Sequence, residues 1–283
     1  MPRFPRAPVV CFSIGLACAM LLSGQSSRTL GELVYSSFPG EPAPSRDTLT
    51  AVVNEARWDT PRAGDQNPDD LRLRFEQIES QGTPGTAPAR FRVFAEGAPD
   101  NKVYGLASWV VGQSLAYDPR DLYVNDQGLV MIHGPRPAQE AALTAPGDEL
   151  ELAPQAGTAE PVRYMLSSKD GALSIFGTLV PHPLITQDQD CTLELRIAQP
   201  HATAVLVVAE GFPPDARVPL VLESGGQTVH MTMATNSSGH AEVADFPSVP
   251  GKTQGSIKVT AEGPSCLPSA VLPWGAQPVR MAQ

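Results

Sequence analysis

TLELRIA (Thr192 to Ala198) places Leu193, Leu195 and Ile197 on alternate positions, with Glu194 and Arg196 between them. A period of two over this length predicts a strand with one face in a core and the other toward water. AVLVVA (Ala204 to Ala209), VPLVL (Val218 to Leu222), TVHMTMA (Thr228 to Ala234), AEVA (Ala241 to Ala244), SIKVTA (Ser256 to Ala261) and SAVL (Ser269 to Leu272) follow, separated by segments rich in Gly, Pro and Ser. Seven short strands with turn residues every ten or so positions describe a β-sandwich over residues 184–283, ending in a short C-terminal tail.

Upstream, Pro181-His182-Pro183 interrupts the pattern and marks a boundary. Before it, residues 71–183 read as a second β-rich unit. Leu71, Leu73 and Phe75 alternate with Arg72, Arg74 and Glu76, and further strands are expected at Arg90 to Ala95, Val103 to Val111, Leu122 to Val124, Leu129 to Ile132, Glu149 to Leu152, Val162 to Leu166 and Leu173 to Val180. Asn125-Asp126-Gln127-Gly128 and Ser168-Lys169-Asp170-Gly171 each join two such strands and end in the Gly that a positive-φ turn requires. Residues 26–70 are mixed: Ser45 to Trp58 could start as a capped helix or run as a strand, and Thr60 to Asp70 reads as a loop. With 29 Pro, 24 Gly and only 18% charged residues, the composition suits strands joined by turns better than a helical bundle. The expected fold class is all-β, with two β-sandwich-like domains.

GFPPDARVPLVLE (Gly211 to Glu223), TNSSGHAEV (Thr235 to Val243) and GSIKVTAEG (Gly255 to Gly263) resemble the repeat of bacterial extracellular immunoglobulin-like domains. In that group a T-[DN]-x-x-G-x-A-x-V turn and strand precedes a closing G-x-x-x-V-x-A strand. The resemblance covers residues 184–275 and implies an immunoglobulin-like sandwich in a surface, adhesive or scaffolding protein, with no catalytic residues to carry over. One departure concerns Trp274, which lies beyond Cys266, whereas antibody-type domains set a Trp between their cysteines. A bridge here would tie the first strand of the sandwich to the segment before the last.

At the N-terminus, Arg3 and Arg6 precede an apolar run from Val9 to Leu22 and small residues at Ala17, Ala19, Ser23 and Gly24. These are the three parts of a secretory signal peptide, here residues 1–25. The run falls short of the roughly 20 residues that cross a bilayer core, so cleavage between Met20 and Ser27 is expected over a retained anchor. A third reading makes Cys18 a lipidated first residue, although Leu16 stands one place too late for a typical lipobox. Removing the leader takes Cys11 and Cys18 with it. The remaining two, Cys191 and Cys266, are most simply a disulfide in an exported chain, with buried free thiols as the alternative. Zinc is the poorer reading, for want of paired ligand spacing.

The formal net charge is −10, and more acidic still without Arg3 and Arg6. Such a surface repels phosphate backbones and anionic membranes, and no Lys/Arg cluster overrides it. The expected partners are therefore an extracellular protein or a carbohydrate, not nucleic acid, and no membrane span is expected in the mature chain. A secreted, periplasmic or cell-surface location follows.

Catalytic motifs are missing. There is no G-x-S-x-G elbow, and none of His133, His182, His201, His230 and His240 forms an H-E-x-x-H pair. Gly251-Lys252-Thr253 looks like the end of a phosphate loop, but Phe246 stands where its first glycine belongs. No catalytic residue and no cofactor is assigned. Acidic groups occur at Asp65, Asp69 and Asp70, at Asp118 and Asp121, and at Asp188 and Asp190. Calcium gathers six to eight oxygens from such loops, which makes Asp118 and Asp121 weak calcium candidates, although a solvated acidic loop is the simpler reading and no EF-hand spacing is present. Tyr104, Trp109, Tyr117 and Tyr123 are candidate ligand-binding aromatics able to stack on sugars, with a sandwich core the plainer alternative. Two functions remain: an exported, non-catalytic binding or structural protein, or an exported hydrolase of glycans or esters with its acids in the first β domain. A cleft lined by convergent acids with perturbed pKa values would mark the second.

Overall fold

The computed structural model describes residues 28–30, 33–41, 44–50, 67–68, 70–78, 89–132 and 148–275. The leader with Cys11 and Cys18, the acids Asp65 and Asp69, and His133 lie outside the described residues. The all-β expectation is borne out. Among the described residues no helix is long and apolar enough to cross a membrane.

Two strands open the chain, β1 (Arg28–Leu30) and β2 (Leu33–Ser37). A helical turn at residues 46–50 follows. Ser45 caps it: the Thr48 N–H donates to Ser45 Oγ at 3.1 Å and the Leu49 N–H to the Ser45 carbonyl at 2.9 Å. The Ser45 segment thus begins as a helix, and its continuation to Trp58 lies outside the described residues.

The first β unit contains β3 (Arg72–Ile78), β4 (Arg90–Glu96), β5 (Tyr104–Val110), β6 (Ala116–Tyr117), β7 (Tyr123–Val124), β8 (Val130–Met131), β9 (Glu151–Leu152), β10 (Val162–Ser168) and β11 (Ser174–Leu179). They assemble as a β11-β10-β5-β6 sheet, a β3-β4-β9 sheet and a β7-β8 ladder. Val93, Tyr104, Leu122, Leu150, Leu166 and Ile175 form the centre of their common core. Both expected hairpin turns are present, with Gly128 at φ +78 and Gly171 at φ +72. Each owes its shape to a side-chain acceptor. Asn125 Oδ1 takes the N–H groups of Gln127 and Leu129 at 3.0 and 2.9 Å, and Asp170 Oδ1 takes that of Ala172 at 3.0 Å. Asn67 fastens the preceding loop to β11, its amide exchanging two hydrogen bonds with the Phe176 backbone at 3.1 and 2.8 Å.

The sandwich is built from β12 (Leu184–Asp188), β13 (Cys191–Ile197), β14 (Val205–Glu210), β15 (Arg217–Ser224), β16 (Gln227–Ala234), β17 (Ala241–Phe246), β18 (Gly255–Ala261) and β19 (Ser269–Trp274). One sheet runs β1-β2-β17-β14-β13-β12 and the other β16-β15-β18-β19. Leu193, Leu195 and Ile197 point into the core between the sheets, as the alternation of TLELRIA requires, with Glu194 and Arg196 on the other face. Three strands of the sandwich, β1, β2 and β12, exceed the sequence expectation. β12 is a half-exposed edge strand with little alternation to announce it. β2 comes from the mixed N-terminal segment and pairs in parallel with β17, Val34 opposite Val243 and Ser36 opposite Asp245.

The segments behind the family resemblance have physical work here. Thr235 Oγ1 accepts the Ala216 N–H at 2.9 Å and donates to the Pro213 carbonyl at 2.7 Å, tying two turns together. Asn236 Oδ1 takes the N–H groups of Ser238 and His240 at 2.9 and 3.1 Å, and Ala241 and Val243 enter the core. The two β units also touch. The Ala159 N–H donates to the His182 carbonyl and the Ile197 N–H to the Ala159 carbonyl, at 2.8 and 2.7 Å, while Val111 and Ala159 pack into the sandwich core.

Candidate functional site

β6 is two residues long and closes one edge of its sheet, pairing Tyr117 with Ala107 and Ala116 with Ser108 on β5. Just beyond it, the Asp118 N–H donates to the Leu106 carbonyl at 2.9 Å, and the chain turns through Pro119. Acid and base then close on one another across that proline. Asp118 Oδ1 accepts the Arg120 backbone N–H and Nε, each at 2.9 Å, and Oδ2 accepts Nη2 at 2.6 Å. Hydrogen bonding to Arg120 holds the Asp118 carboxyl below the usual carboxylate range, and the same bonds raise the guanidinium.

Tyr117 stands 70% exposed at this turn. It lies between two concavities. One, of about 390 Å³, is lined by Ser108, Asp118, Arg120, Pro154 and Tyr164 among others. The second, of about 210 Å³, reaches Gly105, Ser167 and Lys169. Tyr164, one of the residues lining the larger concavity, has its hydroxyl pKa raised by burial.

The other candidate aromatics do not join Tyr117. Tyr104 is wholly buried, its hydroxyl donating to the Pro99 carbonyl at 2.7 Å, which makes it a core residue: the alternation of β5 turns it inward. Trp109 is half-buried, donates Nε1 to the Gln113 carbonyl at 2.8 Å and lies 4.6 Å below the Arg163 guanidinium. Tyr123 is half-buried on the β7-β8 ladder.

The calcium candidates are likewise separated by their partners. Asp118 is locked by Arg120, and Asp121 is ion-paired with Lys169, so each carboxylate faces a cation of its own. Among the described residues no three His, Cys, Asp or Glu side chains gather where they could hold a metal ion. Asp188 serves structure instead, its Oδ2 accepting the Leu267 N–H at 2.5 Å beside the bridge. That bridge joins Cys191, at the start of β13, to Cys266, in the loop between β18 and β19, with Cα atoms 6.1 Å apart. Sequence reasoning missed Arg120. The only signal was its place two residues after Asp118, across a proline that brings the pair together.

No protein-family model matches the sequence, and no curated protein matches it. Among solved structures, the tetra-tandem repeat in the extending region of a large adhesion protein is similar at a TM-score of 0.24 and 11% sequence identity. The match covers 72% of this chain and 48% of that one, so this chain spans about half its length.

Proposed function

We propose that this is an exported, non-catalytic binding or structural protein whose C-terminal half is an immunoglobulin-like module. Strand order supports the module. β14 and β15 are consecutive but lie in opposite sheets, where they pair with β17 and β18, themselves consecutive and split in the same way. Immunoglobulin sandwiches set strands A-B-E-D against G-F-C-C′. Here β13-β14-β17 match A-B-E, β19-β18-β15-β16 match G-F-C-C′, and β2 occupies the position of D. The disulfide and the signal-like N-terminus support an oxidising compartment outside the cytoplasm.

The observation that carries the non-catalytic reading is the state of Asp118. A glycosidase needs one carboxyl raised toward its working pH and a second facing it across the sugar. Asp118 is lowered, and its oxygens are engaged by Arg120. The test is to incubate the mature protein with glycan and ester substrates and follow product release. No turnover is expected; turnover abolished by Asp118→Asn would establish the hydrolase instead. Export is tested separately by sequencing the N-terminus of protein recovered outside the cytoplasm, where a start between Met20 and Ser27 is expected and an intact Met1 counts against it.

A further inference from the structure

We propose that the Tyr117 ridge, with the concavity on either side of it, is a binding site for a neutral oligosaccharide. This rests on the binding reading above and names the site and the ligand class.

Three observations carry it. Tyr117 presents its ring at 70% exposure on a strand too short to need it for packing. An exposed aromatic face flanked by polar groups matches the apolar C–H face of a pyranose ring with hydroxyls around its edge. Next, the Asp118–Arg120 fork lies beside that ring and neutralises itself. The guanidinium spends Nε–H and one Nη2–H on Asp118, which leaves three N–H donors with no partner among the described residues. Such a group offers directed donors in a plane without offering net charge, which suits sugar hydroxyls better than an ion. The formal charge of −10 adds to the disfavour for anionic polymers. Lastly, Tyr117 lines both concavities, the one of about 390 Å³ on the face of Leu106, Ser108 and Tyr164 and the one of about 210 Å³ on the face of Ala107, Met165 and Ser167, so a sugar unit has room against the ring on either face of this sheet edge. The apolar walls from Leu106, Leu152 and Pro154 are of the kind that pack against sugar rings.

The probes are the hexaoses of the cello, xylo, manno, malto and chito series, with polygalacturonate as the anionic comparison, titrated calorimetrically into the full mature chain. At least one neutral hexaose is expected to bind and polygalacturonate is not. Tyr117→Ala should weaken binding about tenfold or more, Tyr117→Phe should restore most of it, and His230→Ala, on the exposed face of β16, should change nothing. Because Tyr117 is exposed, the alanine variant should keep the parent melting temperature, which separates lost binding from lost folding. No binding in any neutral series, or binding that Tyr117→Ala leaves intact, overturns the site. Capture of a protein ligand in their place would overturn it as well while leaving the binding function standing. Cleavage of a bound hexaose would overturn the non-catalytic reading and not the site.

Discussion

Asp245 and Ser36 stand opposite each other across the parallel pairing of β17 and β2, and both are buried. Asp245 has no exposure at all, and among the described residues no hydrogen bond of ordinary geometry reaches either of its oxygens. Its neighbour across β14 is Val205, which offers nothing polar from its side chain. Burial pushes the carboxyl up to about 8, against the weaker pull of the Ser36 hydroxyl and the Phe246 amide. The N-terminal strand is therefore docked over an acid that prefers to keep its proton.

The pH dependence follows from that preference. An unfolded Asp releases its proton near pH 4, whereas folded Asp245 holds it to about 8. Between those values the folded state binds more protons, so stability falls as pH rises through the window and levels off above it. Thermal melts from pH 5 to 9 should show the parent losing midpoint relative to Asp245→Asn, by on the order of 5 °C across the window. Identical slopes for the two proteins would show that Asp245 is not responsible. Asp118, being lowered, acts in the opposite sense and only at acid pH.

The docking of β2 also marks where sequence reading stops. Alternation reports a strand whose two faces differ, as in β13, so the seven strands from β13 to β19 are legible one by one. It says nothing of partners: Leu33 to Ser37 pairs with residues some two hundred positions later, through backbone groups that every residue carries. β12 escaped because an edge strand needs only one weakly apolar face, here Leu184 and Thr186. For the site, the aromatic count was visible but the exposure was not. Tyr104 and Tyr117 look alike in sequence, and only the ends of β5 and the brevity of β6 send one inward and the other out.

Ser224 holds the far end of the sandwich together. Its hydroxyl donates to the Pro247 carbonyl at 2.7 Å and accepts the Trp274 indole N–H at 2.9 Å, all within the buried interior. Ser224→Ala leaves a donor and an acceptor unsatisfied at once, a loss of about 2 kcal/mol. Urea denaturation should show a lower midpoint with an unchanged slope. Adding Trp274→Phe removes the stranded donor, so the double variant should lose less than the two single losses added together; simple additivity would mean the indole bond carries no coupling.

The Cys191–Cys266 bridge closes a sequence separation of 75 residues. On the loop-entropy account such a bridge stabilises the fold by roughly 4 kcal/mol. Reduction should therefore lower the denaturation midpoint clearly. Thiol titration of the denatured, unreduced mature protein should find almost no free thiol, and two equivalents per chain would contradict the bridge.

Gly239 and Gly171 separate backbone conformation from crowding. Both lie at positive φ, +79 and +72, Gly171 in the hairpin turn between β10 and β11 and Gly239 in the turn that carries the chain from β16 to β17 in the opposite sheet. A Cβ at Gly171 would meet nothing within 4 Å, whereas one at Gly239 would strike the Phe212 carbonyl oxygen. Gly171→Ala should therefore cost only the left-handed penalty of about 1 kcal/mol. Gly239→Ala should cost about 2 kcal/mol or more, because the turn must open and loosen the Thr235 and Asn236 hydrogen bonds around it. Paired urea melts decide it. Equal losses at the two positions would mean that the glycine of the T-N-S-S-G turn is there for its φ alone, and not for the close approach of the Phe212 backbone.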